Sequence, residues 1–261
     1  MKLFQTAVLA FCMAGLLSDA SLASDEKREA EFAENISNTL TVGKAVWLES
    51  EGNKFLGVYT ETEKTGSKGT VIILHDIGGH PNQQQLIYGL RVILPEHNWT
   101  TLALQMPLRE AGVEKEEYYP LFSEAAARIQ AGIDYAKNNG AKSIVVAGYG
   151  LGGLMGAYVL SEQTRDIKAL AAISLPVPTT ENKAAQTLEF ISKIKIPMLD
   201  IYGALDVPDV TKSARERRLA AKDNTGYRQV KINDEGHAYL HDEGMLVKRV
   251  YSWLESASVA Q

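Results

Sequence analysis

The sequence is poor in sulfur chemistry, with one cysteine, Cys12, among 261 residues. That cysteine falls in an N-terminal stretch that reads as a cleaved signal. The remaining chain is therefore expected to carry no disulfide, no thiol nucleophile and no cysteine-ligated metal. Long apolar runs are also missing. The best of them, Ala7 to Leu17, is shorter than the ~20 residues a spanning helix needs. Basic residues do not collect into a stripe and the formal charge is −5, so nucleic acid is not an expected partner. There is no internal repeat and no low-complexity tract.

What the N-terminus does contain is an address. Lys2 supplies a positive start, Ala7 to Leu17 an apolar centre, and Ser21-Leu22-Ala23 small residues at −3 and −1. This is the layout of a secretory signal peptide over residues 1–23. Phe11 in front of Cys12 disfavours a lipoprotein-type site, and an uncleaved anchor is disfavoured by length. Removal takes away Lys2 and Asp19 together, so the charge stays −5. The expected product is exported, periplasmic or secreted, with no stable membrane span after cleavage. Residues 24–38 are charged and polar and read as a linker or short surface helix. Residues 39–261 read as a single domain, long enough for one sizeable core.

Along that domain, apolar runs with strand character alternate with helical spacing. Leu40 to Leu48 and Phe55 to Thr60 read as opening strands. Six strand–helix units follow, their strands at 70–74, 99–105, 144–147, 169–174, 198–202 and 227–232. The helices are expected over 82–96, 121–137, 152–163, 183–192, 210–222 and 239–255. Such alternation predicts an α/β fold, a mostly parallel sheet of about eight strands with helices on both faces. Ligands in such sheets sit beyond the carboxyl ends of the strands. The Arg109 to Tyr119 segment reads as an excursion over that end.

The organising stretch is Ile144 to Leu160, a strand that stops at a glycine cluster and passes directly into a helix. Two motifs compete for the turn. Gly148, Gly150 and Gly153 have the spacing of a dinucleotide fingerprint, but the following strand ends in Ile173-Ser174-Leu175-Pro176 without the acid that would hold a ribose. No cofactor is expected on that account. The alternative is the nucleophile elbow, Gly148-Tyr149-Gly150-Leu151-Gly152, with glycine at 150 where serine would stand. Its companions occur in the right order: Asp206 just beyond one strand, His237 in the last loop, and His75-Asp76-Ile77-Gly78-Gly79 where an oxyanion loop would lie.

On these stretches the chain resembles the α/β-hydrolase superfamily over nearly all of its mature length. It is similar in particular to an uncharacterised family of exported α/β-hydrolase-like proteins of Gram-negative bacteria. Ile73 to Pro81, Leu94 to Leu102 and Tyr227-Arg228-Gln229-Val230 carry that second likeness. The resemblance implies an α/β-hydrolase fold, acid and base roles for Asp206 and His237, and backbone donors at Ile77 and Leu151 beside Asp76. It also implies a serine at 150, and there the sequence departs from it.

Glycine offers no atom to acylate. Without the nucleophile, residual catalysis of about a thousandfold over water is the ceiling. Tyr149 and Leu151 are expected to point away, and Ser174 to lie too far from His237. Each residue also has a plainer role open to it: Asp206 as a cap for a helix near Pro208, His237 as an unpartnered loop histidine, His75 and His80 as loop shapers. A metal site on His237 and His241 lacks further ligands, so no metal is expected, and Asp200, if buried, needs a partner. The expectation is a degenerate triad around Gly150, in a non-catalytic binding or scaffolding protein with a small-molecule or acyl ligand in the former site. The alternative is a hydrolase of esters or related acyl compounds, using His237 and Asp206 with water or an unrecognised nucleophile.

Overall fold

A computed structural model describes residues 24–162, 166–241 and 244–259. The expected signal peptide, with Cys12, lies outside the described residues. Eight strands form one sheet: β1 (Lys44–Ser50), β2 (Asn53–Thr60), β3 (Gly69–Leu74), β4 (Trp99–Leu104), β5 (Ile144–Tyr149), β6 (Ile167–Ile173), β7 (Met198–Leu205) and β8 (Tyr227–Gly236). Their order across the sheet is β1-β2-β4-β3-β5-β6-β7-β8. The β1–β2 and β2–β4 pairs are antiparallel, and every pair from β4 to β8 is parallel. The fold is that of an α/β hydrolase, as expected.

The sequence explains the layers. β3, β4 and β5 are buried at every position, as parallel strands covered on both faces must be. One apolar cluster, built on Ile72, Leu104 and Val146, packs against α3 (Phe122–Asn138) and α4 (Leu151–Glu162). A second, built on Val71, Ile73 and Ala147, packs against α2 (Leu86–Ile93) and α8 (Met245–Val259). Among the described residues no helix is long and apolar enough to cross a membrane.

Several boundaries differ from expectation for identifiable reasons. The segment read as a linker or short surface helix is α1 (Glu26–Thr39), capped by the Asp25 side chain on the Arg28 N–H. Its Ala33 and Ile36 are buried against Leu56 and Val58 of β2, so it is no linker. The helix expected over 82–96 begins only at Leu86 and ends in a 3-10 turn, Leu94–His97. The one expected over 183–192 is a 3-10 turn, Lys183–Ala185, followed by α5 (Thr187–Lys193). The segment expected as one helix over 210–222 is two short ones, α6 (Pro208–Thr211) and α7 (Ala214–Ala220). The closing helix starts at Met245 instead of 239, because Tyr239 holds a left-handed backbone with φ 51°. The excursion after Arg109 carries a 3-10 helix, Lys115–Leu121, whose Tyr118 and Tyr119 are buried.

Candidate functional site

β5 and α4 meet at Gly150 with no intervening loop, and Gly150 has φ +53°, a backbone that β-carbon-bearing residues avoid. The helix then runs close under the sheet. A Cβ on Gly152 would lie 2.4 Å from the His75 carbonyl oxygen, so that glycine serves strand–helix contact. The space above Gly150 is taken. A Cβ there would lie 2.1 Å from Asp76 Oδ1 and 2.2 Å from its Cγ. The carboxylate of Asp76, from the loop after β3, occupies the room a side chain at 150 would need.

That carboxylate is held on both oxygens. The Leu151 N–H donates to Oδ1 at 2.6 Å, and His237 Nε2 lies 2.8 Å from Oδ2. The first contact sets an anion on the exposed amide at the start of α4, where the helix dipole favours negative charge. The same carboxylate would repel a phosphate brought to this turn.

Behind His237 stands Asp206, beyond the β7 strand. Its Oδ1 lies 2.7 Å from His237 Nδ1 and accepts the Val207 N–H at 2.8 Å. Its Oδ2 accepts from the Ser174 hydroxyl, and Ser174 Oγ is in turn 2.7 Å from the Tyr239 hydroxyl. Ser174 and Tyr239 both adopt positive φ, 52° and 51°, so two left-handed residues form the chain in which Tyr239 meets Ser174 and Ser174 meets the buried Asp206 carboxylate. Tyr149 stacks on His237 with ring centres 5.0 Å apart and donates its hydroxyl to the His237 carbonyl at 2.8 Å. The expectation that Tyr149 points away is corrected: it clamps the histidine. Ser174 touches the acid, on the side remote from His237.

With a carboxylate on each ring nitrogen, both nitrogens donate, and the ring is an imidazolium. Burial acts to lower its pKa, but hydrogen bonds and charge from Asp206 and Asp76 outweigh burial and push it up to about 10. For Asp206, burial likewise opposes ionisation and is outweighed by His237 and Ser174, leaving its pKa below the usual range. His75 behaves oppositely. It is fully buried, and desolvation lowers its pKa to about 4. The neutral ring accepts the Met106 N–H at 2.9 Å and donates from Nδ1 to the Asp76 carbonyl at 2.7 Å, which pins the backbone of Asp76.

The remaining candidates lie as follows. Ile77, expected to offer a backbone donor, has its side chain at the rim of the cavity, 39% exposed. His241 is solvent-facing, 4.0 Å from Glu235. His80 lies against Phe32 of α1, the rings tilted by 44° with centres 4.8 Å apart. Asp200 has its partners in the fold: Arg217 at 2.8 Å, Tyr227 at 2.5 Å and Gln229 at 2.9 Å. The cap reading of Asp206 is met only by its bond to Val207; the N-cap of α6 is Val207, without a side-chain cap bond.

Asp76, Gly150 and His237 open onto a cavity of about 500 Å³ walled by Ile77, Leu154, Val207 and Val210, with Lys115 and Asp209 paired beside it. Its size and apolar walls suit a small molecule. The sequence pattern missed Asp76 as the group facing His237. The available signal was an acidic residue directly after a fully buried strand, in the same chain as a turn lacking its side chain.

A family model described as "Protein of unknown function (DUF3530)" matches residues 18–118 and 114–256. No curated protein is significantly similar in sequence. Solved structures with the same fold include Est1E from Butyrivibrio proteoclasticus, with TM-score 0.68, 19% identity, and coverage of 83% of this chain and 99% of that one. The Pyrococcus furiosus esterase Pf2001 has TM-score 0.65 and 19% identity, over 82% of this chain and 91% of its own. A putative dienelactone hydrolase from Klebsiella pneumoniae has TM-score 0.65 and 14% identity, over 81% and 97%. These likenesses carry the fold.

Proposed function

This chain belongs to the DUF3530 family, and we propose that it is an exported binding or scaffolding protein on an α/β-hydrolase fold that has given up serine acyl transfer. One observation carries this reading: the Asp76 carboxylate fills the space above Gly150, accepts the Leu151 N–H and faces His237. Acyl transfer needs a hydroxyl, a neutral base and an empty donor pocket for the developing oxyanion. Here the hydroxyl is absent, the base is held protonated between two carboxylates, and the Leu151 donor already serves an anion. A small ligand in the cavity beside Asp76 is the function left to the site. The test is labelling by a fluorophosphonate probe together with turnover of p-nitrophenyl acetate. Neither is expected, and stoichiometric labelling or turnover lost in His237→Ala would sink the reading.

A second reading has its own support in the same geometry. Asp76 is the nucleophile that the sequence did not reveal, and Oδ2 is its attacking atom. Attack on an ester carbonyl forms a mixed anhydride at Asp76, and the departing alkoxide takes the His237 proton. One of the two charges that raised the His237 pKa is then gone, and the ring, neutral and held by Asp206 alone, can deprotonate water attacking Cγ of Asp76. Leu151 N–H faces the oxyanion formed on Oδ1, collapse expels the acyl group as a carboxylate with the water proton on His237, and Asp76, left as a carboxylic acid, gives its proton to solvent. This hydrolase of esters or related acyl compounds predicts incorporation of ¹⁸O from solvent into Asp76 after a single turnover. Unlabelled Asp76 after measurable turnover would exclude it.

Export rests on residues 1–23 of the sequence. N-terminal sequencing of protein from cell fractions is expected to begin near Ser24 in the exported fraction. Intact Met1 in the cytosol would overturn this.

A further inference from the structure

Seven large apolar side chains are well exposed among the described residues: Trp47, Ile77, Leu205, Val207, Leu219, Leu240 and Met245. Four of them lie within three residues of Asp76, Asp206 or His237. Leu205 and Leu240 are the most exposed of all, at 72% and 66%. Leu205 pairs with Gly236 across β7 and β8, which sets it beside the strand end that delivers His237. Ile77 and Val207 line the cavity itself. Scattered exposed apolar residues are ordinary, but two on the wall of an apolar cavity, with two more on the segments that carry its acid and histidine, mark a contact surface.

Charge narrows what lies there. Two carboxylates, Asp76 and Asp209, line the cavity, and a third, Asp206, stands behind His237. The two cations are both engaged: His237 with Asp76 and Asp206, and Lys115 with Asp209. One negative charge is left over, and an anionic head entering this space meets no unpaired cation. An apolar chain, by contrast, can lie against Ile77 and Val207 and leave toward the exposed Leu205 and Leu240.

Resting on the ligand-binding reading above, we propose that the site takes an alkyl amphiphile whose head carries a hydrogen-bond donor and no negative charge, with the head at Asp76 and the chain across Ile77, Val207, Leu205 and Leu240. The test is binding by calorimetry at pH 7 of linear alkylamines from butyl to decyl, all below micelle formation, beside carboxylates of equal length. Each added methylene buried from water is expected to tighten binding roughly threefold to fourfold, and each carboxylate to bind at least tenfold more weakly than its amine. Leu205→Ser with Leu240→Ser, neither of which lines the cavity, is expected to flatten the chain-length slope while leaving butylamine binding unchanged. Affinity independent of chain length, decanoate binding as well as decylamine, or no binding by any member would overturn the proposal. Length-independent binding of the amines that is lost in Asp76→Ala would overturn the placement of the chain and still leave the cavity a ligand site. Labelling by the fluorophosphonate probe would instead remove the ligand-binding reading, so the two failures are separable.

Discussion

Asp76 Oδ1 stands 2.1 Å from the point where Gly150 would carry a Cβ. The obvious repair of the elbow, Gly150→Ser, therefore cannot restore a triad by itself. The new side chain must expel a carboxylate held by Leu151 and His237, and must also tolerate φ +53°. Gly150→Ser is expected to lose about 1–3 kcal/mol, as overpacked sites do, and to remain unlabelled by fluorophosphonate. Asp76→Gly with Gly150→Ser is expected to recover part of that stability and to label. Labelling of the single variant would show that Asp76 swings aside freely.

The bridging histidine gives a spectroscopic handle. His237 is expected to remain an imidazolium until about pH 10, visible as two protonated ring nitrogens in ¹⁵N NMR at pH 8. Asp76→Asn and Asp206→Asn each remove one stabilising charge and should each lower that midpoint. A midpoint near 6.5 in the parent would mean that the carboxylates do not hold the ring.

The two abnormal histidines act on stability in opposite pH windows. His237 has a folded pKa above its unfolded value, so its contribution is complete below about pH 6.5 and is lost as pH rises through about 10. His75 has a folded pKa near 4, so the unfolded chain takes up its proton first, and stability falls as pH drops from about 6.5 through about 4. Thermal melts at pH 5, 6.5 and 9.5 are expected to be highest at 6.5. His237→Gln should flatten the alkaline limb and leave the acid limb in place; the reverse pattern would refute the assignment.

Asp200 and Arg217 form an ion pair with both side chains fully buried. Removing one partner strands a charge, which typically costs about 3–5 kcal/mol. Asp200→Asn is expected to destabilise by that order in urea melts, through the fold and far less through ligand affinity. A loss below about 1 kcal/mol would mean that the Val210 carbonyl and the Ser213 hydroxyl suffice for Arg217.

The sequence made the sheet readable because its central strands are unbroken β-branched and aliphatic runs, such as Thr70 to Leu74. Asp206 and His237 could be singled out because chain order and strand ends are one-dimensional properties. Asp76 could not be paired with His237 in the same way. That contact spans 161 positions and depends on a side chain moving into room that a missing side chain leaves. Tyr149, Ser174 and Tyr239 were hidden for a related reason: their roles rest on ring stacking and left-handed backbone, which periodicity does not record.

The contacts of the N-terminal helix α1 bear on the site. Arg28 donates to the Arg109 carbonyl at 2.8 Å and to the Gly78 carbonyl at 3.2 Å. Gly78 sits two residues from Asp76, so one α1 side chain ties the Asp76 loop to the start of the 109–121 excursion. Glu29 adds a second tie, accepting the Leu108 N–H at 2.9 Å and pairing with Arg128 at 2.7 Å. Charge-assisted hydrogen bonds of this kind contribute about 1.5–3 kcal/mol each. Arg28→Ala is expected to leave the core intact while amide exchange at Ile77, Gly78 and Gly79 accelerates and the His237 midpoint falls toward its ordinary value. Arg28→Lys keeps charge but not the forked reach to two carbonyls, so it should restore only part of the protection. Unchanged exchange in Arg28→Ala would show that His75 alone holds the loop, through its bond to the Asp76 carbonyl.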